Sequence, residues 1–153
     1  MSPKSRRSAG TILVIFPTVL FGGVSLLRML MDDPAYQANA LRQDLWRAGH
    51  AHAAVLLVLS LVLLRYVDEA NLSERWKEFV RAATPFSAIL ISAAFFLSVL
   101  SADATEPNRL IWLAFVGAAL LATGLITLGV GLLRGGKDDT VRNMQATAIA
   151  DGD

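Results

Sequence analysis

Four stretches of this chain carry no aspartate or glutamate, and all of its acidic residues fall between or outside them: residues 9–31, 48–66, 82–102 and 110–134. A charged side chain at the centre of a membrane-spanning helix costs about 2.5–3.5 kcal/mol on insertion scales. A hydrocarbon core about 30 Å thick needs roughly 20 residues of helix at about 1.5 Å each, which is the length of each stretch. Open strands leave backbone groups unsatisfied in lipid, so the four stretches read as helices. The expected fold class is all-α, a transmembrane four-helix bundle with the lipid bilayer as its first partner. Composition agrees: 54% of the residues are hydrophobic and 18% are charged, against about a quarter charged in soluble domains. The spans consume most of the 153 residues, which leaves no room for a second soluble domain.

Lysine and arginine give the expected direction, because cytoplasmic loops are enriched in both. Ten lie in the N-terminal tail (1–8), the loop 67–81 with neighbouring Arg65, and the C-terminal tail (135–153) with Arg134. The other side has Arg28, Arg42, Arg47 and Arg109. Both termini are therefore expected in the cytoplasm of a bacterial plasma membrane, with loops 32–47 and 103–109 outside. A secretory signal peptide competes for the first span, since Ala38-Asn39-Ala40 fits a small-residue cleavage pattern. Arg28, Asp32 and Asp33 separate that site from the apolar run, so the span is expected to stay in the mature protein.

The loops carry local signals. Asp33-Pro34 is a good helix start, since Asp caps free amides and Pro tolerates the first helical position. A short interfacial helix is expected from Tyr36 to Trp46. In loop 67–81, Asn71 and Glu74 have capping-box spacing. Leu72, Trp76, Phe79 and Val80 then share one face, and Glu74, Lys77, Glu78 and Arg81 are assigned to solvent. After Gly135-Gly136 the tail turns polar and is expected to be disordered.

Small residues predict how the spans pack, because lipid supplies no hydrophobic drive between helices and close backbone approach must replace it. Gly117, Gly124 and Gly131 recur every seven residues in the fourth span, and Ala94 and Ser98 belong to a small-residue run in the third. These seams serve either each other or a second copy of the chain. Pro17 leaves the carbonyl of Leu13 without its helical donor and, with Gly22-Gly23 following, predicts a kink.

The one cluster with chemical potential is Arg47-Ala48-Gly49-His50-Ala51-His52, which holds both histidines of the chain. Histidine in a span is uncommon and functionally suspect. His50 and His52 lie in the same leaflet as Met29 and Met31, and imidazole with thioether suits copper or a haem iron. Residues two apart on a helix point about 200° from each other, however, and cannot readily share an ion. The alternatives are a packed histidine that lines the bundle, a metal or haem ligand, and a proton-transfer group.

The string RAGHAHA (47–53) at the start of a span, in a short four-span chain, resembles a group of uncharacterised integral membrane proteins of actinobacteria, a resemblance that implies no activity. Locally the pair is similar to the histidine pairs of haem-copper oxidase-type membrane proteins. With no further histidine, one copy cannot build a haem plus copper centre.

Other classes fare less well. With no cysteine there are no disulfides and no thiolate chemistry, no carboxylate lies in a span, and no Gly-rich phosphate loop is present. An enzyme is not expected, and a net charge of +1 without a basic patch excludes a nucleic-acid surface. The leading expectation is an accessory or assembly subunit, alone as a homo-oligomer or within a larger membrane complex. A haem- or copper-binding redox accessory and a channel-like or transporting oligomer are the alternatives.

Overall fold

The computed structural model describes the backbone of residues 1–150 and the side chains of residues 1–135. The tail expected to be disordered over 135–153 therefore lies, from residue 136 onward, outside the fully described residues. The elements are α1 (Pro3–Asp32), α2 (Pro34–Ala38), α3 (Ala40–Tyr66), α4 (Glu74–Ser98), a single 3-10 turn (Arg109–Ile111) and α5 (Trp112–Ala150). Among the described residues there is no strand. Four segments are long and apolar enough to cross a bilayer: α1, α3, α4 and Arg109–Gly135. The chain is an all-α four-helix membrane protein.

Short polar residues set the breaks. The Ser2 side chain accepts from the Ser5 amide and Pro3 opens the first turn of α1. Asp33 closes α1, its amide donating to Met29 O, and its carboxylate caps α2 through the amides of Ala35 and Tyr36 at 2.9 and 3.1 Å. Asn39 closes α2 and caps α3 through the Arg42 amide. The interfacial helix expected over 36–46 is thus split. Only α2 is separate, and residues from Ala40 onward are continuous with the second span.

Segment 67–81 also differs from expectation. Ser73, not Asn71, is the N-cap of α4, and residues from Glu74 onward are the first turns of the third spanning helix. The Asn71 amide donates instead to Gly131 O at 3.0 Å, which ties the loop to α5. A capping box at Asn71 is therefore not formed. Helices α1 and α4 each run unbroken through a proline, Pro17 and Pro85.

The helices pack in the order α1, α3, α4, α5, so α4 lies in the middle and touches α1 only lightly. Half of the apolar window of α4 is buried, against 6% of that of α1. The glycines of the fourth span explain the close fit of α5. A Cβ at Gly117 would stand 2.7 Å from Ile91, one at Gly124 2.9 Å from Ala83, and one at Gly131 2.5 Å from Leu72. The first two contacts, Ile91 and Ala83, fall on the α4 stripe that holds Ser87, Ala94 and Ser98, all buried, and the third, Leu72, lies in the loop before α4. The hydroxyls of Ser87 and Ser98 bond back to their own helix at Ala83 O and Phe95 O. The seam is one of close packing.

The N-terminus, the 67–73 loop and the end of the fourth span meet at one end of the molecule, here the terminal end. There Ser2 donates to Asp68, and the position of a Gly135 Cβ lies 3.6 Å from Glu69 O. Helix α2 and the 99–108 loop make up the opposite end, joined where Asn39 Nδ2 donates to the carbonyls of Ala102 and Ala104.

Candidate functional site

At the opposite end the two histidines part company. His50 packs over Gly22-Gly23 of α1, its Nε2 2.8 Å from where a Gly23 Cβ would be. The bare backbone of those glycines is the space the imidazole fills. His52 turns toward α4, with its ring centroid 5.2 Å from that of Phe95 and its Nδ1 2.8 Å from Ala48 O. Met29 lies six residues beyond Gly23, about 9 Å further along α1, and Met31 is exposed. The four residues do not converge, and no single ion can be held by all of them within one copy. Among the described residues no group of three or more His, Cys, Asp or Glu is placed to hold a metal.

Around Trp46 the same end is closely built. Its indole Nε1 donates to Phe96 O at 3.1 Å, the Arg42 guanidinium sits 4.2 Å above its ring, and Tyr36 is tilted against it. Gly49, buried beside Phe95 and Phe96, lets α3 and α4 approach here. This cluster fixes the helix ends.

The terminal end holds what the sequence did not suggest. Arg81, assigned above to the solvent side, is buried, with 8% of its surface exposed. Its Nη2 donates to Asp68 Oδ1 at 2.8 Å and its Nε to Ser5 Oγ at 3.0 Å. Ser5 in turn donates to Asp68 Oδ1 at 3.0 Å, and the Ser2 amide donates to Asp68 Oδ2. Burial pushes the Asp68 carboxyl up. The Ser2 amide, the Arg81 guanidinium and the hydroxyls of Ser2 and Ser5 outweigh that and hold it well below the usual carboxylate range. Asp68 is therefore ionised, and the buried pair is a true ion pair. Arg81 Nη1 is left over. It has no hydrogen-bond partner, and Glu74 Oε2 is 3.8 Å away.

Arg81 lines a groove of about 620 Å³ where α1 and α4 diverge over α3. Ile12, Ile15 and Val19 form one wall, Pro85, Phe86 and Ile89 the other, and Ala53, Leu57, Ala88 and Ser92 the floor. Ile15, Phe86 and Ile89 are exposed, so the groove opens sideways to the surroundings of the bundle. A second hollow of about 410 Å³, lined by Lys4, Arg7, Ser8, Glu78 and Arg81, continues it at the terminal end. Lys4 is paired with Glu78 and, at 3.9 Å, with Glu74, whereas Arg7 has no ion-pair partner among the described residues. The site is thus apolar along its length and cationic at its mouth, a shape that suits an amphipathic anion.

A signal for this face was present. Arg81, Pro85, Ala88 and Ser92 recur at steps of four, three and four, which puts the arginine on one stripe of a spanning helix. A loop taken to end at residue 81, where the helix in fact starts at 74, hides that stripe. Fold and site together define the class, a helical membrane protein with a lateral, basic-mouthed groove. No protein-family model matches the chain, and neither a curated protein nor a solved structure does so.

Proposed function

We propose that this chain is a small accessory protein of the bacterial plasma membrane that holds an amphipathic ligand, taken laterally from the bilayer, in the groove between α1 and α4. Both termini face the cytoplasm in this reading, supported by the eight Lys and Arg residues at the terminal end among the fully described residues, against four on the other side. The observation that carries it is Arg81, a buried guanidinium with one nitrogen that makes no hydrogen bond, at the head of an apolar groove. Burying a charge and leaving one of its donors unsatisfied costs stability, so the arrangement favours an occupant that supplies an acceptor.

The test is a photoactivatable acyl-chain probe in native-like vesicles, with the adducts mapped along the chain. Labelling concentrated on Ile15, Phe86 and Ile89 over lipid-facing Val14, Phe21 and Ile126 supports a bound ligand. Uniform labelling of all six positions refutes it.

A further inference from the structure

We infer that the occupant is a phospholipid of the terminal-end leaflet with a net-negative headgroup, its phosphate seated on Arg81 Nη1 and Arg7 and one acyl chain laid between Ile15 and Ile89. This rests on the ligand-binding reading above and goes further by naming the ligand class and its leaflet.

Length selects the leaflet. From Arg81 to Ser92 the groove descends eleven residues of α4, about 16 Å at 1.5 Å per residue. Half of a hydrocarbon core about 30 Å thick is about 15 Å. The groove therefore ends near the bilayer centre, at the depth where a lipid chain of one leaflet ends. It is too shallow for an occupant that crosses the membrane, such as a partner's spanning helix lying along its full length.

Charge selects the head. Three cations line the mouth, Lys4, Arg7 and Arg81, against one lining acid, Glu78, which is committed to Lys4, while Glu74, at its edge, stands 3.9 Å from Lys4 and 3.8 Å from Arg81. Asp68 is consumed by Ser2, Ser5 and Arg81. What remains is Arg81 Nη1, buried and without a hydrogen bond though Glu74 stands 3.8 Å away, its guanidinium fixed because the other nitrogens are bonded, and the exposed Arg7, which has no ion-pair partner among the described residues. A planar guanidinium with one nitrogen lacking a hydrogen bond, beside a second guanidinium, matches phosphate oxygens better than a carboxylic or neutral head. Basic recesses between helices at the cytoplasmic side are suited to anionic headgroups on general electrostatic grounds.

The experiment is native mass spectrometry of the full chain released from mild detergent, titrated in turn with dioleoyl phosphatidylglycerol, dioleoyl phosphatidylcholine, dioleoylglycerol and inorganic phosphate. The expected result is a one-to-one phosphatidylglycerol adduct at least tenfold tighter than the phosphatidylcholine adduct, with no phosphate adduct. Arg81→Lys and, independently of any folding defect there, Arg7→Gln reduce that preference severalfold, while Arg28→Gln at the opposite end leaves it unchanged. Equal retention of all three lipids overturns the headgroup assignment but keeps the groove reading. Retention of none, or dimers in place of lipid adducts, overturns both. Equal binding of phosphate alone overturns the lipid assignment.

Discussion

Replacing Asp68 by Asn removes one negative charge at the point where three segments meet, and the structure sets the size of the effect. Arg81 loses the charged acceptor of its Nη2, 2.8 Å away, while its Nε keeps Ser5 Oγ. Removing one partner of a buried ion pair costs about 3–5 kcal/mol. Asn keeps one carbonyl oxygen for the Ser2 amide or Ser5, and Glu74 lies 3.8 Å from Arg81 Nη1, so the loss falls at or somewhat below the lower end, about 2–3 kcal/mol. In a chain of this length that corresponds to a melting temperature lowered by roughly 5–10 °C. Thermal unfolding in detergent measures the shift, and hydrogen exchange shows where it acts: the amides of Ser2 and Ser5 exchange faster while those of α5 do not. A double-mutant cycle with Arg81→Gln completes the test. If Asp68→Asn melts within about a degree of the parent, or the two substitutions are additive, Arg81 is not held by Asp68 and the account of the groove mouth is wrong.

Acid should weaken the same contact. The Asp68 pKa is lowered on folding, so its contribution is complete above the ordinary value near 3.8 and is lost as pH falls below it; melts between pH 6 and 3 should show a decline that Asp68→Asn flattens. Gly124→Ala puts its Cβ 2.9 Å from Ala83 Cβ, and neither atom can rotate away. Overpacking costs about 1–3 kcal/mol and exceeds the gain of about 1 kcal/mol in helix propensity. Gly129→Ala, which meets open space, serves as the matched control in the same unfolding assay. Trp46→Phe loses the indole bond to Phe96 O and weakens the Arg42 contact, a destabilisation of about 1–2 kcal/mol by the same measure. For topology, the chain has no native cysteine, so Ser101→Cys should react with an impermeant maleimide on intact cells and Glu69→Cys only after permeabilisation.

Number and class of the helices were legible because each span announces itself by the absence of acids over some 20 residues, a rule that bilayer thickness enforces. Helix starts at Asp33-Pro34 were legible for a similar reason, since capping is local chemistry. The extent of α4 was not. Residues 74–81 are rich in charge, so hydropathy assigned them to a surface segment, yet Arg81 is buried because Ser5 of α1 and Asp68 of the loop come to it from 76 and 13 residues away. No local pattern encodes that meeting. The histidines show the opposite error. Their rarity drew attention to them, but their spacing of two already placed them on different faces, and His50 lies on the glycines of α1 while His52 lies on Phe95.

The most direct measurement of the central claim is a structure of the chain in nanodiscs that contain phosphatidylglycerol with brominated acyl chains. The account predicts bromine signal between Ile15 and Ile89 and headgroup phosphate within hydrogen-bond distance of Arg81 Nη1. Bromine spread evenly around the bundle, with α1 closed against α4 and Arg81 Nη1 bonded to protein, would contradict it.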